Sequence, residues 1–112
     1  MKKQKKKMRA IQQGDVFIEA IRKIPADAID GKLKNGQIIL AEGETTGHAH
    51  RISKVANVIF KEKDGFFYLQ NKEELQVIHE EHKPVIIPPG TWKVKKVLEY
   101  DHFEEEVWEV RD

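Results

Sequence analysis

Val, Ile, Phe and Tyr gather along this chain in short segments bounded by Gly, Pro, Asn or Asp. The turn signals recur about every eight to twelve residues, the spacing of short strands rather than helices. Gly14-Asp15 opens the first segment, 16–21, which closes at Ile24-Pro25. The stretch from Pro25 to Gly31 predicts a loop or one helical turn. Asn35-Gly36 favours a tight turn, since both residues tolerate positive φ, and it launches a strand over 37–42. After a loop bracketed by Gly43 and Gly47, residues 48–52 form a short strand. Residues 58–63 and 66–70 flank Asp64-Gly65, the pattern of a β-hairpin. Val77-Ile78 precedes a charged stretch, 85–87 lies between Pro84 and Pro88-Pro89-Gly90, and 92–98 and 107–110 alternate for part of their length. Asn71-Lys72-Glu73-Glu74 predicts a single capped helical turn. The expectation is a mainly β protein: a small single-domain barrel or sandwich of about 7–9 short, mostly antiparallel strands.

Composition narrows the class further. The chain has 112 residues, 39% of them hydrophobic and 35% charged, enough for one core and one domain. Apolar runs such as Ile38-Ile39-Leu40 and Val85-Ile86-Ile87 fall far short of the roughly 20 residues of a membrane span. The basic start Met-Lys-Lys-Gln-Lys-Lys-Lys is followed by no apolar stretch, so it does not read as a signal peptide. With no cysteine, disulfides, thiolate metal sites and cysteine nucleophiles are excluded. A cytoplasmic location is expected, with no membrane partner, and self-association into a homo-oligomer stays open.

The net charge of +1 hides an asymmetry. Residues 1–9 hold six of the 20 basic residues and no acid, which leaves 14 basic against 19 acidic residues, a body of net charge −5. The reading is a flexible basic arm over 1–9 and one β domain over 10–112. Such an arm can track a phosphate backbone through counterion release, or serve only as a solvated tail.

Five histidines carry the candidate chemistry, four of them in two pairs: His48-Ala49-His50 and His79-Glu80-Glu81-His82. On a strand, residues two apart share a face roughly 7 Å apart, so His48 and His50 can reach one ligand together. Gly47 allows close backbone approach, and Thr45 and Thr46 add hydroxyls as substrate-binding groups. His79 and His82 share a face only if the chain bends at Glu80-Glu81, before Pro84. His102, among acids, reads as a solvent histidine. Trp92, Trp108, Phe66, Phe67 and Phe103 read as packing rather than a base-stacking platform.

Two resemblances rest on these motifs. His48-Ala49-His50 and Pro88-Pro89-Gly90-Thr91-Trp92 resemble the two halves of the cupin pattern, which implies a divalent metal in a β barrel. Lys54 and Val55 stand where that pattern has Glu, and Lys93 where it has its last His. The chain also resembles a group of small bacterial and phage proteins through Gln13-Gly14-Asp15-Val16, Gly47-His48-Ala49-His50 and His79-Glu80-Glu81-His82-Lys83-Pro84, continuing into Pro89-Gly90. That resemblance implies no function, only that both histidine pairs belong to one arrangement.

Three functions fit. The first is a hydrolase cleaving a phosphodiester, in RNA or a small cyclic nucleotide, with His48, His50, His79 and His82 as acid and base and Arg51 or Lys93 stabilising the developing charge. The second is a metalloprotein whose imidazoles hold one divalent ion, zinc or manganese, with Glu80 or Glu81 as base. The third is a non-catalytic β module binding a partner through a sheet edge. The expectation is a histidine-dependent hydrolase, metal-free or metal-assisted.

Overall fold

Two-residue turns set the framework. The computed structural model describes residues 8–43, 47–96 and 107–110. Strand β1 (Met8–Gln13) turns at Gly14-Asp15 into β2 (Val16–Ala20), with Gln13 opposite Val16 and Gly14 at φ +58°. Glycine at the first central position is the residue this kind of turn requires. Asp64 and Gly65, at φ +53° and +83°, join β6 (Ile59–Lys63) to β7 (Phe66–Asn71) as the sequence predicts. Both angles positive is the turn whose twist matches the flanking strands.

Six strands pair in the order β1-β2-β10-β7-β6-β3, all antiparallel, where β3 is Ile29–Asp30 and β10 is Gly90–Lys96. A further strand, β11 (Val107–Val110), adds antiparallel to the free side of β1. Two hairpins complete the fold: β4 (Ile38–Glu42) with β5 (Ala49–Ile52), and β8 (Leu75–Val77) with β9 (Val85–Ile87). Reciprocal backbone hydrogen bonds between Arg51 and Ile78, 3.0 and 2.9 Å, stitch the hairpins together.

The core fills the space between sheet and hairpins. The sheet contributes Ile11, Val16, Ile18, Leu69, Trp92 and Val94; the hairpins contribute Ile38, Leu40, Ile52, Leu75, Val77 and Ile87. Alternation along each strand places these residues on one face. The mainly β, antiparallel class is therefore as expected, with eleven short strands among the described residues rather than 7–9. No helix of the described residues is long and apolar enough to cross a membrane.

Three elements depart from the sequence reading. Strand β1 takes in Met8 and Arg9, the last two residues of the segment read as an arm; residues 1–7 lie outside the described residues. Its glutamines disguise it as a strand. Gln12 and Gln13 are buried, and their amides donate to the carbonyls of Gly14, Val77 and Lys83, which removes the penalty of burying them. The segment read as a loop between Pro25 and Gly31 contains β3. Residues 71–74 form no helical turn, because the buried Asn71 amide donates to the carbonyls of Glu73 and Pro88 and bends the chain toward β8. His102, Phe103 and the acids at 104–106 lie outside the described residues.

Candidate functional site

At one end of the domain the core-facing rows run out of apolar residues and into polar ones. Along β1 the inward row is Ile11 then Gln13; along β5, read backwards, it is Ile52, His50 and, beyond the strand, His48. On β8 Leu75 and Val77 lead to His79, and on β10 Trp92 and Val94 lead to Lys96. Period-two alternation carries each row past the last apolar side chain without changing face. The result is a cleft of about 310 Å³ whose lining includes His48, His50, His79, His82, Asp15 and Lys96.

The two histidine pairs converge there. His79 lies 4.3 Å from His50 and 5.6 Å from His48, ring centroid to ring centroid. His82 lies 4.6 Å from His79 and 5.6 Å from His50. The bend expected at Glu80-Glu81 brings His82 back onto the cluster. Glu80 holds that bend against β5: one carboxylate oxygen accepts from the Ala49 N–H at 3.0 Å, and the other meets the Arg51 guanidinium at 3.1 Å. The Ala49 N–H and its own N–H keep the Glu80 carboxyl below its ordinary pKa. Glu80 is thus a strut, not a free base.

His50 is the anchored member, 5% exposed. Gln13 Nε2 donates to Val77 O at 3.1 Å and Lys83 O at 2.8 Å, so the amide is oriented with Oε1 toward His50 Nδ1, 2.7 Å away. An amide oxygen only accepts, so Nδ1 carries a proton. Burial, reinforced by the charges of His79 and His82 and opposed by Asp15, lowers the His50 pKa from 6.5 to about 4. At neutral pH its Nε2 therefore presents a lone pair to the cleft. Asp15 Oδ1 lies 3.3 Å from that nitrogen. His82 is also lowered, by burial and by His79. His48, half-buried at the mouth, pairs with Glu81 at 3.6 Å.

The depressed His50 has a consequence for stability. The unfolded chain binds the proton from about pH 6.5 downward, and the folded chain only near 4. Stability is therefore full above 6.5 and falls as pH drops toward 4, by up to about 3 kcal/mol. Urea unfolding of chelator-treated protein at pH 7 and 4.5 measures this. His50→Gln should remove most of the difference; an equal loss in both proteins would show that His50 is not its source.

Other predicted site residues lie elsewhere. Lys93 sits one residue out of the inward row, so its ammonium lies over the Phe66 ring, 4.2 Å from the centroid, on the opposite face of the sheet. Arg51, likewise out of phase with His50 and Ile52, is held by Glu80 outside the cleft lining. Gly47 takes φ +78°, a conformation suited to glycine, but does not line the cleft. Thr45 and Thr46 lie outside the described residues. The cupin-like second half is also displaced: Gly90 pairs with Asn71, and Pro88 O accepts from Trp92 Nε1, so this segment brings nothing to the histidines. Gln13, Gly14, Asp15 and Lys96 are the site residues that the motif reading did not assign. For Gln13 and Lys96 the signal was the polar residue ending an inward row; Gly14 and Asp15 read only as turn residues.

No curated protein and no solved structure matches the chain. One family does, over residues 12–96, a span that runs from the residue before Gln13 to Lys96 and so encloses every described residue of the cleft. The chain belongs to that family, described as a domain of unknown function (DUF8820).

Proposed function

We propose that this protein is a small histidine-dependent hydrolase that cleaves a phosphodiester, in RNA or a small cyclic nucleotide, in the four-histidine cleft. The observation that carries the reading is the convergence of His48, His50, His79 and His82 on one open cleft from segments some thirty residues apart in sequence. Burial and the neighbouring His79 disfavour the charged forms of His50 and His82, an arrangement that a purely structural polar face has no need of.

The geometry supports a division of labour. His50, His79 and His82 form the inner group of the cleft. His48, at the mouth beside Glu81, moves the proton. As the attacking oxygen bonds to phosphorus, His48 accepts its proton; as the bond to the leaving oxygen breaks, that proton is returned to it, directly or through water. Lys96, whose ammonium is 4.0 Å from Asp15 at the rim, stabilises the negative charge that develops. The basic residues among 1–9 favour a polyanionic substrate.

The test is cleavage of RNA and cyclic oligonucleotides by the wild type and by alanine variants. Lys96→Ala should lower kcat/KM about tenfold, while Lys93→Ala should leave it unchanged. The reverse order would place the substrate on the outer face of the sheet. No cleavage of either substrate class would overturn the hydrolase and leave the binding module.

A further inference from the structure

We infer that His50, His79 and His82 form a binding site for one divalent cation of the zinc class, with Asp15 as its charge partner and Gln13 as the residue that fixes the ligating nitrogen of His50. The site is the one assigned above to hydrolysis, but the inference does not require that the protein be an enzyme.

Three observations carry it. The ligating atoms of the three imidazoles already lie within 4.8 Å of one another. Tetrahedral bonds of 2.0–2.1 Å bring such atoms to roughly 3.3 Å apart, so the ligands, within 4.8 Å of one another, need to close by at most about 1.5 Å. That closure is available because His79 and His82 stand on a bend rather than inside a sheet. Second, the Gln13 amide is oriented by two backbone carbonyls and accepts from His50 Nδ1, which leaves Nε2 free of a proton in the neutral ring. A metal-bound histidine characteristically donates its other N–H to such a carbonyl or carboxylate, which fixes ring and tautomer. Third, Asp15 Oδ1 lies 3.3 Å from that Nε2, which places a carboxylate beside the ligating nitrogen, where it balances the charge of a bound cation.

Gly14 keeps the space open. A Cβ at this position would stand 2.8 Å from His82 Nε2 and 3.2 Å from His50 Cε1. His79 requires one adjustment: its Nδ1 accepts the Glu81 N–H at 3.0 Å, and this exposed donor must turn to water when the ring ligates. Exchange of an exposed hydrogen bond for one to water is nearly neutral. Three imidazoles leave a position for water, and the nitrogen donors favour zinc over magnesium or calcium.

The experiment is calorimetric titration of chelator-stripped, full-length protein with zinc and, separately, manganese. One equivalent of zinc should bind more tightly than manganese, and cobalt(II) in its place should give the visible absorption of a tetrahedral site. His82→Ala, at a partly exposed position that does not carry the core, should weaken zinc binding by about 100-fold or more, and Gln13→Ala by about 10–100-fold. Lys93→Ala should not change it. Circular dichroism of each variant separates lost binding from lost fold. No zinc binding, or binding that survives both His50→Ala and His82→Ala, overturns the site, and the contact is then a His50 imidazolium shared between Gln13 and Asp15. Chelator-resistant hydrolysis by protein that binds no zinc overturns the metal while leaving the hydrolase. Zinc bound through these residues without cleavage of any phosphodiester upholds the metal and overturns the hydrolase.

Discussion

Replacing His48, His50, His79 or His82 singly by alanine should lower phosphodiester cleavage by about 10²–10⁴, the loss associated with removing a group that transfers a proton or polarises the reacting centre. The four variants should differ in what else they lose. His48 and His82 are partly exposed and lie beyond the apolar rows, so their removal should shift Tm little. His50 is buried, and its loss leaves Gln13 Oε1 without its donor, which costs about 1–3 kcal/mol. Single-turnover rates on RNA and on a cyclic oligonucleotide, read beside thermal unfolding, separate the two effects. Rates that track Tm across the set would mean that the histidines only support the fold. A rate loss in His48→Ala at unchanged Tm supports its place as the proton carrier. Full activity in all four variants would overturn the site.

Most strands were legible because each carries its own signal, an apolar alternation closed by a turn. Asp64-Gly65 and Asn35-Gly36 adopt the positive φ angles that their residue types announce. Strand β1 was not legible, because Gln12 and Gln13 look like surface residues until their hydrogen-bond partners are known. The partners of Gln13, Val77 and Lys83, lie 64 and 70 residues away in sequence. The histidine pairs were visible as motifs, and the bend that unites the second pair followed from its spacing. Which lysine stands beside them was not legible, for a simple reason. Lys93, Lys95 and Lys96 are alike as residues, and only strand parity separates them. Trp92 and Val94 face the core, so Lys96 shares their face while Lys93 faces away. The same parity sets Arg51 apart from His50 and Ile52. Asp15 and Gly14 read as turn residues and are that, yet the turn they make also forms the wall of the cleft.

Gly14→Ala should test that double role, with an effect on the site far larger than its effect on the fold. Gly14 sits at φ +58°, where an alanine costs about 1–2 kcal/mol of backbone strain. Its new methyl group would also come within 2.8 Å of His82 Nε2 and 3.1 Å of His82 Cε1. The His82 ring, partly exposed and on a bend, can swing away more cheaply than β1 and β2 can part. The variant should therefore remain folded with His82 displaced, and hydrolysis should fall by about 10²-fold, the scale of loss from a misplaced reacting group. Gly65→Ala is the matched comparison. Gly65 has φ +83° at the tip of the β6–β7 hairpin, and a methyl group there meets nothing within 4 Å. It should lose a similar amount of stability and none of the activity. Equal rates in the two variants would show that the contact between the β1–β2 turn and His82 is incidental. A selective loss in Gly14→Ala would show that the turn helps to hold the site's geometry.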